Sequence, residues 1–254
     1  MLRRLVNSLL LCVCGCVPVH ATWTLTQVKD NASCSGTTCA VTVTSTGAGH
    51  LLVAAYNGGA SGSATTISGV SSAACVSTWT HATSANLFVS PFGSVDLYYC
   101  LNSASGQTAI TITISQSGSG MGVIWEASSS LGNIAVNSGT TPSNNVHDTS
   151  NCTSCAGTSL TLASNNSFIA GTAFCVNTCS GVTGTGYTND LSNPSGDAVF
   201  HGLNIAVSGA TTAPATFSQS PTSTLFGDAA AFQETSGGVA CTPTLTLLGV
   251  GRCG

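Results

Sequence analysis

The stretch "CTSCAGTSLTLASNNSFIAGTAFCVNTC" places Cys152, Cys155, Cys175 and Cys179 in the spacing C-x2-C-x19-C-x3-C. Such a set can hold a tetrahedral zinc ion, run thiol–disulfide exchange, or close disulfides. A hairpin turning about Asn165 would set Cys155 opposite Cys175 and Cys152 near Cys179, which suits a metal and two cross-strand bridges equally. The chain has thirteen cysteines, three of them (Cys12, Cys14, Cys16) in the first 21 residues. The remaining ten are Cys34, Cys39, Cys75, Cys100, Cys152, Cys155, Cys175, Cys179, Cys241 and Cys253. An even count is what a disulfide set requires. Cys34 and Cys39 occupy a loop that matches Cys152–Cys155 but has no second pair across from it, so a short loop closed on itself is expected there. Cys75–Cys100 would close a longer loop. Cys241–Cys253 would knot the tail, with an intermolecular link as the alternative. A redox C-x-x-C needs a helix N-terminus to lower its thiol pKa, and no helical pattern follows Cys155. Disulfides are therefore expected, with four-cysteine zinc as the competing reading and no cofactor.

Other chemistry is sparse. G-x-S-x-G, H-E-x-x-H, P-loop and dinucleotide signatures are absent. His50, His81, His147 and His201 are scattered without ligand spacing, and His147–Asp148 reads as part of a polar loop, "SNNVHDTSN". Glycosidase chemistry on a β-sandwich needs two carboxylates about 5–10 Å apart across a cleft. Glu126 in "IWEAS", with Asp96, is the candidate pair, but Glu234 recurs at a matching place, which favours a structural rim. "NDLSNPSGD" (189–197) clusters oxygen ligands, yet lacks ordered calcium-loop spacing and reads first as a turn. No catalytic residue is assigned. For ligand contact, Trp79, Tyr98, Tyr99 and Glu126 are the candidates. Adjacent strand residues face opposite ways, so one of Tyr98 and Tyr99 points outward.

These residues need a scaffold and a compartment. "MLRR", an apolar run from Leu5 to Val17 and "VHA" form a secretory signal over 1–21, too short for a membrane span. Lipidation at Cys16 is the alternative. Beyond it only Lys29 and Arg252 are basic, against eight acids, a net of about −6. Nucleic-acid binding needs clustered Lys and Arg to neutralise phosphates, so that class is excluded, and anionic membrane surfaces are disfavoured. "AVTVTS", "HLLVAAY", "VDLYYCL", "TAITITIS", "MGVIWEA" and "SFIAGTAF" are strand-length apolar or alternating runs bounded by Gly, Ser, Asn and Pro. About a dozen such strands make an all-β, two-sheet antiparallel sandwich.

An internal echo organises it. "CSGTTCAVTVTSTGAGHLLVAAY" (34–56) resembles "CTSCAGTSLTLASNNSFIAGTAF" (152–174), and the match continues through Trp79 and Tyr187, Asp96 and Asp197, and approximately Glu126 and Glu234. The halves run about 23–135 and 136–234 with no charged or Pro-rich linker. One domain over 22–234 is favoured over two small sandwiches, and 235–254 is a cysteine-closed tail.

The succession "HLLVAAY", "STWTHAT", "VDLYYCLNSASGQTAITITIS", "VIWEASS", "GTGYT" and "DAAAFQE" resembles a loosely defined group of exported, Ser/Thr/Gly-rich bacterial β-sandwich domains of jelly-roll character. The resemblance spans about 23–234 and implies a single sandwich, with no activity to carry over. The cysteine content and the tail depart from that group. The expected role is a non-enzymatic, secreted or surface-located adhesion, matrix or structural component. The alternatives are a carbohydrate-binding module and, behind it, a glycan hydrolase. The partners would be glycans or further copies of the chain.

Overall fold

In the computed structural model the described residues are 22–59, 65–82, 87–89, 93–136, 146–156, 162, 166–175, 178–193, 197–205 and 216–235. The expected signal segment with Cys16 and the Cys241–Cys253 tail lie outside them. Fourteen strands are described: β1 (Trp23–Thr42), β2 (Leu51–Gly59), β3 (Ile67–Val70), β4 (Thr80–His81), β5 (Leu87–Val89), β6 (Gly93–Cys100), β7 (Ala109–Ser129), β8 (Ile134–Val136), β9 (Val146–Ala156), β10 (Ser167–Cys175), β11 (Thr178–Thr183), β12 (Tyr187–Asn193), β13 (Asp197–Ile205) and β14 (Thr216–Glu234). They form two seven-stranded antiparallel sheets. One 3-10 turn, Ser72–Ala74, interrupts them. The protein is an all-β two-sheet sandwich.

The echo reappears as topology. The first sheet runs β1-β7-β2-β6-β4, with β3 also on β7; the second has β14-β10-β13-β12, with β8, β9 and β11 on β14. Each half of the chain therefore builds one sheet, and its central strands follow one order. The register corrects two details of the match. Leu52 and Tyr56 on β2 face Glu126 and Asp96 respectively, whereas Phe174 on β10 faces Asp197 and Ala170 faces Ala230. Counted from the Tyr56–Phe174 match, Ala230 rather than Glu234 takes the place of Glu126. Tyr56 also packs on the far side of its sheet while Phe174 packs between the sheets. A one-residue slip, which reverses every side chain of a strand, separates the sequence match from the packing.

Two cores explain the apolar runs. Leu51, Val53, Ala55, Val95, Leu97, Val123 and Trp125 meet Phe168, Ala170, Val199, Ala230 and Phe232 between the sheets. On the other face, Leu52, Ala54, Tyr56 and Ile124 are covered by Val41, Val43, Ile110, Ile112 and Ile114. These covering residues come from the end of β1, the residue just beyond it and the start of β7, which fold over their own sheet. "HLLVAAY" is unbroken because β2 is buried on both faces.

The fold-over needs a bend inside β1 and β7. The Gly- and Ser-rich "SQSGSG" between two apolar runs lies within continuous β7, and the Cys34–Cys39 loop lies within β1. Register shifts between Asn31/Cys34 and Gly36/Thr38 mark the corner. Gly36 there has φ 85°, a left-handed conformation that glycine adopts without strain. A Cys34–Cys39 disulfide closes the corner, and Cys75–Cys100 closes a larger loop. In the chain-entropy picture the second contributes about 3–4 kcal/mol.

Cys175 is also disulfide-bonded. The turn expected about Asn165 lies outside the described residues, but Cys155 and Cys175 do not face each other across a hairpin: β9 and β10 each pair with β14, which runs between them. Cys155 pairs across to Phe217 and Cys175 to Leu225, because the returning C-terminal strand claims the position that a local hairpin would fill. His147–Asp148 belongs to strand β9, not to a loop.

Polar side chains also cross the seam between the sheets. Trp23 Nε1 donates to Asn166 O (2.8 Å), Trp125 Nε1 to Asp190 Oδ2 (2.9 Å), and Asn57 Nδ2 to Thr172 Oγ1. Asp228 stands directly across from Thr172 and is buried. Its Oδ1 accepts the Ala229 N–H at 2.8 Å, but its Oδ2 and Asn57 Oδ1 have no hydrogen-bond partner. Burial pushes the Asp228 carboxyl well above its ordinary range, against the Ala229 bond that lowers it, and the charge of Asp96 raises it further. Because the folded-state value is raised, this group's contribution is full below the unfolded value of about 3.9 and is lost as pH rises through the folded value. Asp228→Asn supplies an N–H donor without a charge. It is expected to stabilise the protein by about 1–3 kcal/mol at pH 8 and by little at pH 3.5, read by urea denaturation at both.

Candidate ligand groove

The outward face of the first sheet carries a groove built by β3, the loop 71–79 and β6. Its volume is about 400 Å³, and it is lined by Val70, Trp79 and Tyr98 together with Ser68, Ser77 and Thr78. No charged side chain lines it. Each part is held in place. The Cys75–Cys100 bridge ties the loop to β6. Val76 N donates to Asn102 O (2.8 Å), and Trp79 Nε1 to Ser71 O (3.0 Å), which fixes the indole. Val76, beside the groove, is 65% exposed.

Trp79 and Tyr98, named from the sequence, meet in this groove, while Tyr99 and Glu126 do not reach it. Tyr99 is the inward member of the tyrosine pair and packs edge-on against Phe232 in the seam, ring centres 5.4 Å apart. Tyr98 is half-buried and its ring packs at a tilt against His81, centres 4.8 Å apart. Its hydroxyl is held above its usual value, first by burial and then by the charge of Asp96. It therefore remains a neutral hydrogen-bond donor through the physiological range.

Glu126 is a buried clamp. Its Oε1 takes Gly47 N (2.7 Å) and His50 Nδ1 (2.6 Å), and its Oε2 takes Gln27 Nε2 (2.5 Å). It joins β1, β7 and the turn that leads into β2. Glu126 and Asp96 flank β2 at Leu52 and Tyr56. That places them about 13 Å apart along the strand and ~10 Å across it, too far for a glycosidase dyad. Glu234 also serves structure, its Oε1 taking the Ser129 hydroxyl and Leu131 N (3.3 Å).

Three of the histidines each meet a carboxylate. His50 meets Glu126, His81 Nε2 meets Asp96 Oδ1 at 2.5 Å, and His201 Nδ1 meets Asp190 Oδ1 at 2.5 Å. Asp190, from the segment weighed for calcium, is thus taken up by His201 and Trp125. A carboxylate behind an imidazole orients it for metal binding or proton transfer. Among the described residues, however, no group of three or more His, Cys, Asp or Glu converges on a metal position. The pairs were hidden in sequence because the partners lie 76, 15 and 11 residues apart.

Asp96 is fully buried. Burial raises its carboxyl above the ordinary value, while His81 and the Ile67 N–H pull it back.

No protein-family model, curated protein or solved structure matches the chain.

Proposed function

We propose that this is an exported, non-enzymatic sandwich that binds a neutral glycan at the Trp79–Tyr98 groove and acts at the cell surface or in the medium. The observation that carries the reading is an aromatic pair in an uncharged groove edged by Ser68, Ser77 and Thr78. A sugar ring offers an apolar C–H face to an aromatic surface and hydroxyls to its rim, the mixed chemistry of such small-ligand sites. The disulfides and the signal-like 1–21 support export. The engagement of Glu126 by three partners supports a binding role over hydrolysis. The test is a glycan array followed by titration calorimetry. Trp79→Ala is expected to weaken saturable binding about tenfold or more, roughly 1.4 kcal/mol. Binding that survives Trp79→Ala unchanged, or no saturable binding to any glycan, removes this reading.

A structural matrix or coat role is the second reading. It is favoured by a composition with only 5% charged residues, since little net repulsion opposes packing of copies. Concentration-dependent assembly in sedimentation, with a flat array, would select it.

A further inference from the structure

We propose that Asp96 is a positioning residue of the groove, a single buried carboxylate that ties the β3 wall and the ring lying against the Tyr98 floor to one point. The proposal rests on the groove reading above for its purpose, though not for its geometry.

The strands nearest Asp96 are short. β3 is four residues long and β4 two. β3 contributes three paired positions on β7, with a register shift between Ile67 and Gly69, and β4 contributes two on β6. Ladders this short supply few backbone bonds to fix a wall. Asp96 adds one strong contact to each. Its Oδ2 accepts the Ile67 N–H at 2.6 Å, at the head of the segment that carries Ser68 and Val70 into the groove. Its Oδ1 meets His81 Nε2 at 2.5 Å, and the His81 ring lies against Tyr98, the aromatic floor. The wall carrying Ser68 and Val70 and the ring behind Tyr98 are thereby referred to one point. Asp96 has no exposed surface, so it acts on a ligand through its neighbours and not by contact.

The geometry, rather than the charge, is what the walls need. An Asn at this position keeps an oxygen for the Ile67 N–H and offers an N–H toward the His81 ring, whereas Ala removes both. Trp79 reports on the site without any ligand, because Trp23 and Trp125 are 2% and 0% exposed and acrylamide quenching is then dominated by Trp79.

The experiment compares wild type, Asp96→Ala, Asp96→Asn and His81→Ala by acrylamide quenching and amide hydrogen exchange, with cellobiose as a sugar probe. In Asp96→Ala, Ile67 amide protection is expected to fall about tenfold and Trp79 quenching to rise about twofold, with Val53 protection unchanged. Asp96→Asn restores both. In His81→Ala, which removes a half-exposed edge residue, Trp79 quenching rises while Ile67 keeps its protection. That variant serves as the test if Asp96→Ala does not fold. Wild-type values of both readouts in Asp96→Ala overturn the proposal. So does a failure of Asn to rescue, or unchanged Trp79 quenching in His81→Ala. Failure of cellobiose and of the glycan array to bind wild type, with the quenching and exchange results as expected, removes the glycan reading and leaves the positioning role standing.

Discussion

Phe168→Ala is expected to cost about 3–5 kcal/mol, the range for removing a fully buried aromatic ring. Phe168 has no exposed surface and sits where the two sheets meet. Its ring centre lies 5.6 Å from that of Trp23, 6.5 Å from Phe232 and 6.4 Å from His201. Trp23 comes from the first sheet and the others from the second, so the cavity left behind would open on both. A domain of this size has about 5–15 kcal/mol in total, so the loss is roughly a fifth or more of the whole. The melting temperature should fall by roughly 6–20 °C. Guanidinium denaturation of wild type and variant measures it. A loss below about 1 kcal/mol would mean that the sheets do not share an interior.

Gly120→Ala is expected to be comparably damaging, by about 3–5 kcal/mol, through crowding rather than a cavity. A Cβ at Gly120 would stand 2.2 Å from Asn57 O and 2.8 Å from Gly58 Cα. Both are backbone atoms of β2, which pairs with β7 at this point, so no flexible side chain can move aside. Relief requires the two strands to separate where β7 begins its bend. Gly69→Ala is the control: nothing lies within 4 Å of its Cβ position, and the change should stay within about 0.5 kcal/mol. Equal midpoints for the two variants in the same denaturation series would show that β2 and β7 are not held at this separation.

The sequence made the strands legible wherever burial imposed a pattern. The β2 run is apolar without a break because both of its faces are covered, and the alternation in "TAITITIS" marks a segment covered on one. What it hid was continuity. The Ser/Gly stretch 115–120 and the loop-like residues 34–39 have turn composition, yet the chain uses them to bend strands without ending them. Backbone proximity to Gly58 and Gly59, not local propensity, demands the glycines there. For the site, strand alternation required one of Tyr98 and Tyr99 to face outward. Which one did depended on the second sheet, whose Phe232 takes Tyr99. The pairing of His81 with Asp96 was illegible because it arises only when β4 docks against β6.

The matching order of the central strands in the two sheets has a consequence for descent. A chain of half this length, folding as one sheet and pairing face to face with an identical copy, would meet the same need to bury an apolar surface, as two-fold homodimers do. Fusing two such copies end to end would give this topology without inventing a new connection. In this chain the two inner faces differ, one carrying Trp23 and Trp125 and the other Phe168 and Phe232, so each half complements the other and not a copy of itself.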